Sequence, residues 1–109
     1  MKYMNKLERL SEINKTLNLL GLANKAKRIV VGPKVLIDIK LIKFMFIAND
    51  SSLNSQKKYK DKCLFYKINY SLDYTSEQLS TAIGQVNRNV IGITDHGFAK
   101  KFVELNKGG

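Results

Sequence analysis

Few residues in this 109-residue chain could carry covalent chemistry. The one histidine, His96, lies between Asp95 and Gly97 at what reads as a helix start, where turn and capping roles account for it. The one cysteine, Cys63, falls on the apolar face of a lysine-rich helical stretch. Basic neighbours can lower a thiol pKa, but the apolar setting reads as a buried core thiol. No Cys or His spacing resembles a zinc site, so no metal is expected. Asp50, Asp73, Glu77 and Asp95 sit where one element gives way to the next, the usual place for caps and turns. An aspartate at the C-terminal end of a strand can also be catalytic in α/β folds. Asp50 and Asp95 therefore carry the rival reading, a small α/β enzyme or ligand-binding domain that would use one of them in a deep pocket. The glycines that follow strands are isolated, and neither G-x-x-x-x-G-K-[ST] nor G-x-G-x-x-G occurs. No small-molecule cofactor is expected, and the balance of these residues is against an enzyme.

Binding chemistry is better supplied. Lys and Arg number 19 against 9 Asp and Glu, a net charge of +10. Such an excess points to a polyanionic partner, nucleic acid or an anionic membrane surface. It is also uneven: residues 25–43 hold six bases and one acid, and residues 57–67 hold five bases against Asp61. The sharper candidate site is Lys27, Arg28, Gly32 and Lys34. Glycine lets a backbone approach a ligand closely. A helix beginning at Pro33 would aim free N–H groups and a partial positive charge at a phosphate, with the three cations around that end. The second candidate is Asn87, Arg88 and Asn89, a polar loop with one cation. Lys57, Lys58, Lys60 and Lys62 read as the solvated face of a helix, and Tyr59 and Tyr66 as core residues rather than base-stacking platforms.

The elements that must position these groups alternate in type. Leu7, Leu10, Ile13, Leu17 and Leu20 recur every three or four residues, the inner face of a helix over residues 5–25. Gly21 weakens its end or lets another backbone come close. Ile29-Val30-Val31 reads as a strand, and Gly32-Pro33 opens a second helix over residues 33–43. Residues 44–48 are continuously apolar, as in a central buried strand. A third helix covers residues 55–66, with Tyr59, Cys63 and Tyr66 inward. Ile68, Tyr70, Leu72 and Tyr74 alternate with the period of a strand. Thr75-Ser76-Glu77-Gln78 has the spacing of a capping box and opens a helix that Gly84 ends. Residues 90–94 form a fourth strand, and a last helix turns Phe98, Ala99, Phe102 and Leu105 inward. The order predicts a single α/β domain over residues 1–109: a three-layer α/β/α sandwich, about four central strands with helices on both faces. The first residues lack the continuous apolar core of a secretory leader, no run approaches the roughly 20 apolar residues of a membrane span, and one cysteine permits no internal disulfide. A cytoplasmic protein with no membrane partner is the expectation.

Several of these segments share a pattern. Leu19-Leu20-Gly21-Leu22-Ala23-x-x-Ala26-x-x-Ile29-x-x-Gly32 resembles the opening of the kink-turn-binding ribosomal-protein superfamily, that is, ribosomal protein L-seven-Ae and relatives. Ile47-Ala48-Asn49-Asp50 is similar to its strand-end motif. Ala82-Ile83-Gly84 and Ile93-Thr94-Asp95-x-Gly97-Phe98-Ala99-Lys100-Lys101 resemble its bacterial YlxQ-type branch in particular. The resemblance covers residues 17–105. It implies a three-layer sandwich without catalytic activity that grips a sharply bent RNA internal loop, with ribosomal or other structured RNA as partner. The family signature is Gly-x-Asn-Glu-x-x-Lys at the second helix. Gly32 matches it, whereas Lys34, Val35 and Asp38 stand where the family has Asn, an acid or amide, and Lys. Those departures predict RNA binding with weakened selectivity for a kink-turn.

Overall fold

The computed structural model describes residues 5–106. Residues 1–4, part of the segment expected to lack a secretory leader, and residues 107–109 lie outside them. The strands are β1 (Ile29–Val31), β2 (Phe44–Ile47), β3 (Asn69–Ser71) and β4 (Val90–Ile93). The helices are α1 (Lys6–Lys25), α2 (Lys34–Ile37), α3 (Leu53–Tyr66), α4 (Ser76–Ala82) and α5 (His96–Asn106).

One mixed sheet of order β1-β4-β2-β3 forms the middle layer. β2 and β3 are parallel, and β4 runs antiparallel to both of its neighbours, β1 and β2. β2 is buried on both faces, which explains its unbroken apolar run. Its Phe44 and Phe46 join a core with Leu20 and Ala23 of α1, Leu79 of α4 and Phe102 of α5. Its Met45 and Ile47 join a second core with Val35, Tyr59 and Cys63 beneath α2 and α3. Gly92 makes that second core possible. A Cβ there would lie 2.6 Å from Cδ1 of Ile42, which packs across the strand at that point.

Three local expectations change. Leu7 and Leu10 are not core residues but 77% and 47% exposed. A 20-residue helix is about 30 Å long, whereas strands of three or four residues reach only about 10–13 Å, so the first turns of α1 overhang the sheet. The helix expected over residues 33–43 is a single turn, α2, broken at Asp38 and followed by a 3₁₀ turn at Ile39–Leu41. Its β-branched residues are poor helix formers, and the break lets Val35, Ile39 and Ile42 all face the core. Tyr66 ends α3 partly exposed, because the chain stops helical winding at Lys67 in the left-handed region, φ 57°.

Of the two roles open to Gly21, the close approach of another backbone is the one observed: it brings α1 against α4. A Cβ there would meet the Ala82 carbonyl at 3.0 Å. Asn24 reinforces the contact by donating to the Ile83 carbonyl at 3.2 Å.

Candidate nucleic-acid interface

The turn after β1 starts from Gly32, whose φ of +75° suits glycine and strains any side chain. Its N–H donates to the Val90 carbonyl at 3.0 Å, so the β1–β4 ladder continues one step beyond the strand. Pro33 follows with φ −59°, its ring already set for the helical turn. The N–H groups of Val35 and Leu36 are taken by the carbonyls of Gly32 and Pro33, each at 3.0 Å. Pro33 has no N–H, so at most the Lys34 amide is left to meet a ligand. With a helix of one turn behind it, the expected bundle of free amides and helix dipole is not there. Any anion recognition at this turn falls to side chains.

Lys34 is exposed and lies 3.9 Å from the Asp38 carboxylate, one turn on. Asp38 thus offsets a cation rather than facing solvent alone. Val35 is fully buried in the second core and offers nothing to a surface.

The polar loop before β4 comes up beside this turn, because Val31 pairs with Ile91 and Gly32 with the carbonyl of Val90. Asn87 sits at φ 56°, a conformation asparagine tolerates better than most residues. Arg88 and Asn89 are exposed. Their backbones are nonetheless held: the Arg88 N–H donates to the Ser80 hydroxyl at 2.8 Å, and the Asn89 carbonyl accepts from the Ala48 N–H at 2.8 Å. Ser80 is 3% exposed, and the sequence reading passed over it. A serine between inward-facing Leu79 and Ile83 was its signal: a hydroxyl turned toward the core must find a partner. Val86, 75% exposed on the same loop, was also missed.

Lys27 and Arg28 do not belong to this cluster. They precede β1, so they lie at the other end of the strand, where the Arg28 carbonyl accepts from the Thr94 N–H at 2.9 Å. The structure brings Gly32 and Lys34 together with Asn87, Arg88 and Asn89, and separates all five from Lys27 and Arg28 by the length of the sheet.

The rival acids are separated in the same way. Asp50 follows β2 and Asp95 follows β4, and these strands are antiparallel, so the two carboxylates sit at opposite ends of the sheet. Both have structural partners. Asp50 accepts from the Ser76 N–H at 2.9 Å and the Ser76 hydroxyl at 3.0 Å, and the first of these holds its carboxyl below the ordinary aspartate value. Asp95 accepts from the Phe98 N–H at 2.9 Å and caps α5. Cys63 is buried beside Met45, with sulfur atoms 3.4 Å apart, and desolvation pushes its thiol up to about 12. Among the described residues, no group of three or more His, Cys, Asp or Glu is placed to hold a metal.

A mixed β1-β4-β2-β3 sheet between helical layers, with a glycine–proline turn facing a polar loop across one sheet end, gives the molecule an L-seven-Ae-like α/β fold. No family model matches the chain. The chain belongs to the YlxQ family of RNA-binding proteins. It is 40% identical over 97 residues to the RNA-binding protein YlxQ of Enterococcus faecium, covering 86% of this chain and 93% of that one. It is 39% identical over 90 residues to the RNA-binding protein YlxQ of Bacillus subtilis (strain 168), covering 80% and 90%. Among solved structures, a protein of unknown function from Bacillus halodurans C superposes with a TM-score of 0.81 at 32% identity, over 85% of this chain and 97% of that one. The Giardia lamblia 15.5kD RNA binding protein superposes with a TM-score of 0.72 over 96% and 95%; at 18% identity that likeness speaks to fold alone.

Proposed function

We propose that this chain is a non-enzymatic RNA-binding protein that grips structured RNA, ribosomal RNA being the first candidate, at the Gly32 end of its sheet. The observation that carries the reading is the hydrogen bond from the Gly32 N–H to the Val90 carbonyl, 3.0 Å. It supports reading the Lys34 turn and the loop of residues 84–89 as neighbours on one surface. Lys34 and Arg88 would meet phosphate, and Asn87 and Asn89 can present amides to base edges. The exposed Val86 adds an apolar contact for an unstacked base. Lys27 and Arg28 contribute long-range attraction from the opposite end rather than direct contact. The name borne by the two YlxQ relatives supports the same partner. Kink-turn selectivity is proposed to be weaker than in relatives that carry the full signature, since Val35 is in the core and Asp38 is spent on Lys34. The reduced cytoplasm suits a protein with one buried thiol. Among the described residues, no helix is long and apolar enough to cross a membrane.

The test is a binding titration against a kink-turn RNA at fixed salt. Arg88→Ala and Lys34→Ala should each raise Kd about tenfold or more, the scale of one charge-assisted contact. Lys58→Ala, on the solvated face of α3, should change it less than twofold. Equal small losses from all three would mean diffuse charge attraction without a site.

A further inference from the structure

A second gathering of positive charge among the described residues lies at the opposite end of the sheet from Gly32. β1, β2 and β3 are mutually parallel in direction while β4 opposes them, so their N-terminal approaches and the exit of β4 gather at one end. A groove of about 470 Å³ opens there. Lys40, Lys43, Lys67 and Lys100 line it together with His96 and Tyr66, and no acid does. Lys27 and Arg28 stand at the same end. Asp95 is the acid at this end, engaged as the cap of α5, whereas at the Gly32 end Lys34 and Arg88 share the surface with both Asp38 and Asp50. The lysines come from three separate segments, the approach to β2, the end of α3 and α5, which sequence order scatters over sixty positions and the topology brings together.

The floor of the groove is apolar, supplied by Ile42, Ile68 and their neighbours. At its rim Tyr66 is 36% exposed, and Phe65 beside it is 77% exposed, with ring centroids 4.9 Å apart. Two exposed aromatic rings contribute little to the core, and their exposure to water is unfavourable. Cations alone would suit the backbone of any nucleic acid. Cations around an apolar floor, with exposed aromatic rings beside it, suit a strand whose bases are unstacked, because a duplex keeps its base faces covered.

We propose that this groove is a second RNA site, for an unpaired strand, with its phosphates on Lys40, Lys43, Lys67 and Lys100 and a base against Tyr66 or Phe65. The proposal deepens the RNA-binding reading above and rests on it for the partner class. A structured RNA held at the Gly32 end would then send a single-stranded flank to the opposite end.

The probe is a fluorescently tagged 12-residue oligouridylate, which has no helix to offer the Gly32 end. The groove variant is Lys40→Gln with Lys43→Gln and Lys100→Gln. The control, Lys15→Gln with Lys57→Gln and Lys58→Gln, removes the same charge from exposed helix faces elsewhere. The groove variant should raise Kd for the oligonucleotide at least tenfold and make the salt slope shallower by about 2, three phosphates at roughly 0.7 each. The control should raise Kd less than threefold. Ultraviolet crosslinking of the wild-type complex should mark the peptide holding Phe65 and Tyr66. Equal losses in the two variants, no binding of the oligonucleotide at low salt, or crosslinks confined to residues 84–89 would each overturn the proposal. None of these outcomes touches the kink-turn titration, and a failure of Arg88→Ala there leaves the groove result standing.

Discussion

At Val35 the side chain and the family signature disagree, and burial decides between them. The signature has an acid or amide at this position, and a polar residue there invites the idea that restoring it would restore base contact. Val35 instead packs in the core beneath α2 and α3, fully excluded from water. A carboxylate placed there would have no partner, at a cost of about 3–5 kcal/mol, a large part of the 5–15 kcal/mol that typically holds a domain together. Val35→Glu should therefore shift the urea midpoint sharply downward or leave the chain unfolded, with no gain in RNA selectivity. A variant as stable as wild type would show that this turn can open to solvent. Adding Asp38→Lys would compound the damage by setting a second cation one helical turn from Lys34 in place of its partner. The site residues of the second loop are of a different kind. Asn87, Arg88 and Asn89 were legible because three polar residues between a helix and a strand have no reason to be inside. Ser80, which holds Arg88 in place, was not legible, since its role exists only once α4 and the loop fold over each other.

Among the elements, α4 shows how a short helix is held by its surroundings. Seven residues are too few to be helical alone. The Thr75–Gln78 capping box, predicted from spacing, closes its first turn: the Thr75 hydroxyl accepts from the Gln78 N–H at 3.2 Å and the Gln78 side chain accepts from the Thr75 N–H at 2.9 Å. Asp50, arriving from the end of β2, adds a charged acceptor to the same helix start. Its carboxyl pKa is depressed in the folded state, chiefly by the Ser76 N–H, so ionisation favours the folded form. That stabilisation is present above the unfolded aspartate pKa of about 3.9 and is lost as pH falls through the lower folded value. Wild-type Tm should thus drop between pH 5 and pH 3 by more than that of Asp50→Asn, which keeps an acceptor but has nothing to titrate. Parallel profiles would mean that solvent competes successfully for Ser76.

Over the whole molecule, charge and shape are divided between the two ends of the sheet. The Gly32 end carries the shaped loops with little net charge, and the His96 end carries the cations. Long-range attraction scales with charge, whereas discrimination between RNA shapes depends on the loops. Lys27→Ala with Arg28→Ala should therefore weaken binding to a kink-turn RNA and make its salt dependence shallower. The ratio of Kd for a straight duplex to Kd for the kink-turn should stay within about twofold of wild type. Titrations of both RNAs at several ionic strengths give the ratio and the slope together. A falling ratio would show that Lys27 and Arg28 reach the bend itself.

The sequence alone determined the layers, the element types and the charge, because hydrophobic period, capping boxes and net charge are properties of neighbouring residues and of composition. β2 as the central strand followed from Phe44-Met45-Phe46-Ile47, since only a strand buried on both faces has no polar side. What tertiary structure decided was which groups meet. Lys27, Arg28 and Lys34 lie within eight positions in sequence, yet a three-residue strand between them sends them to opposite ends. Lys40, Lys67 and Lys100 are far apart in sequence, yet they share a groove because β4 runs against its neighbours. Strand direction is a long-range property: it depends on how crossovers pack rather than on any local run of residues, and it alone placed each candidate residue at one end or the other.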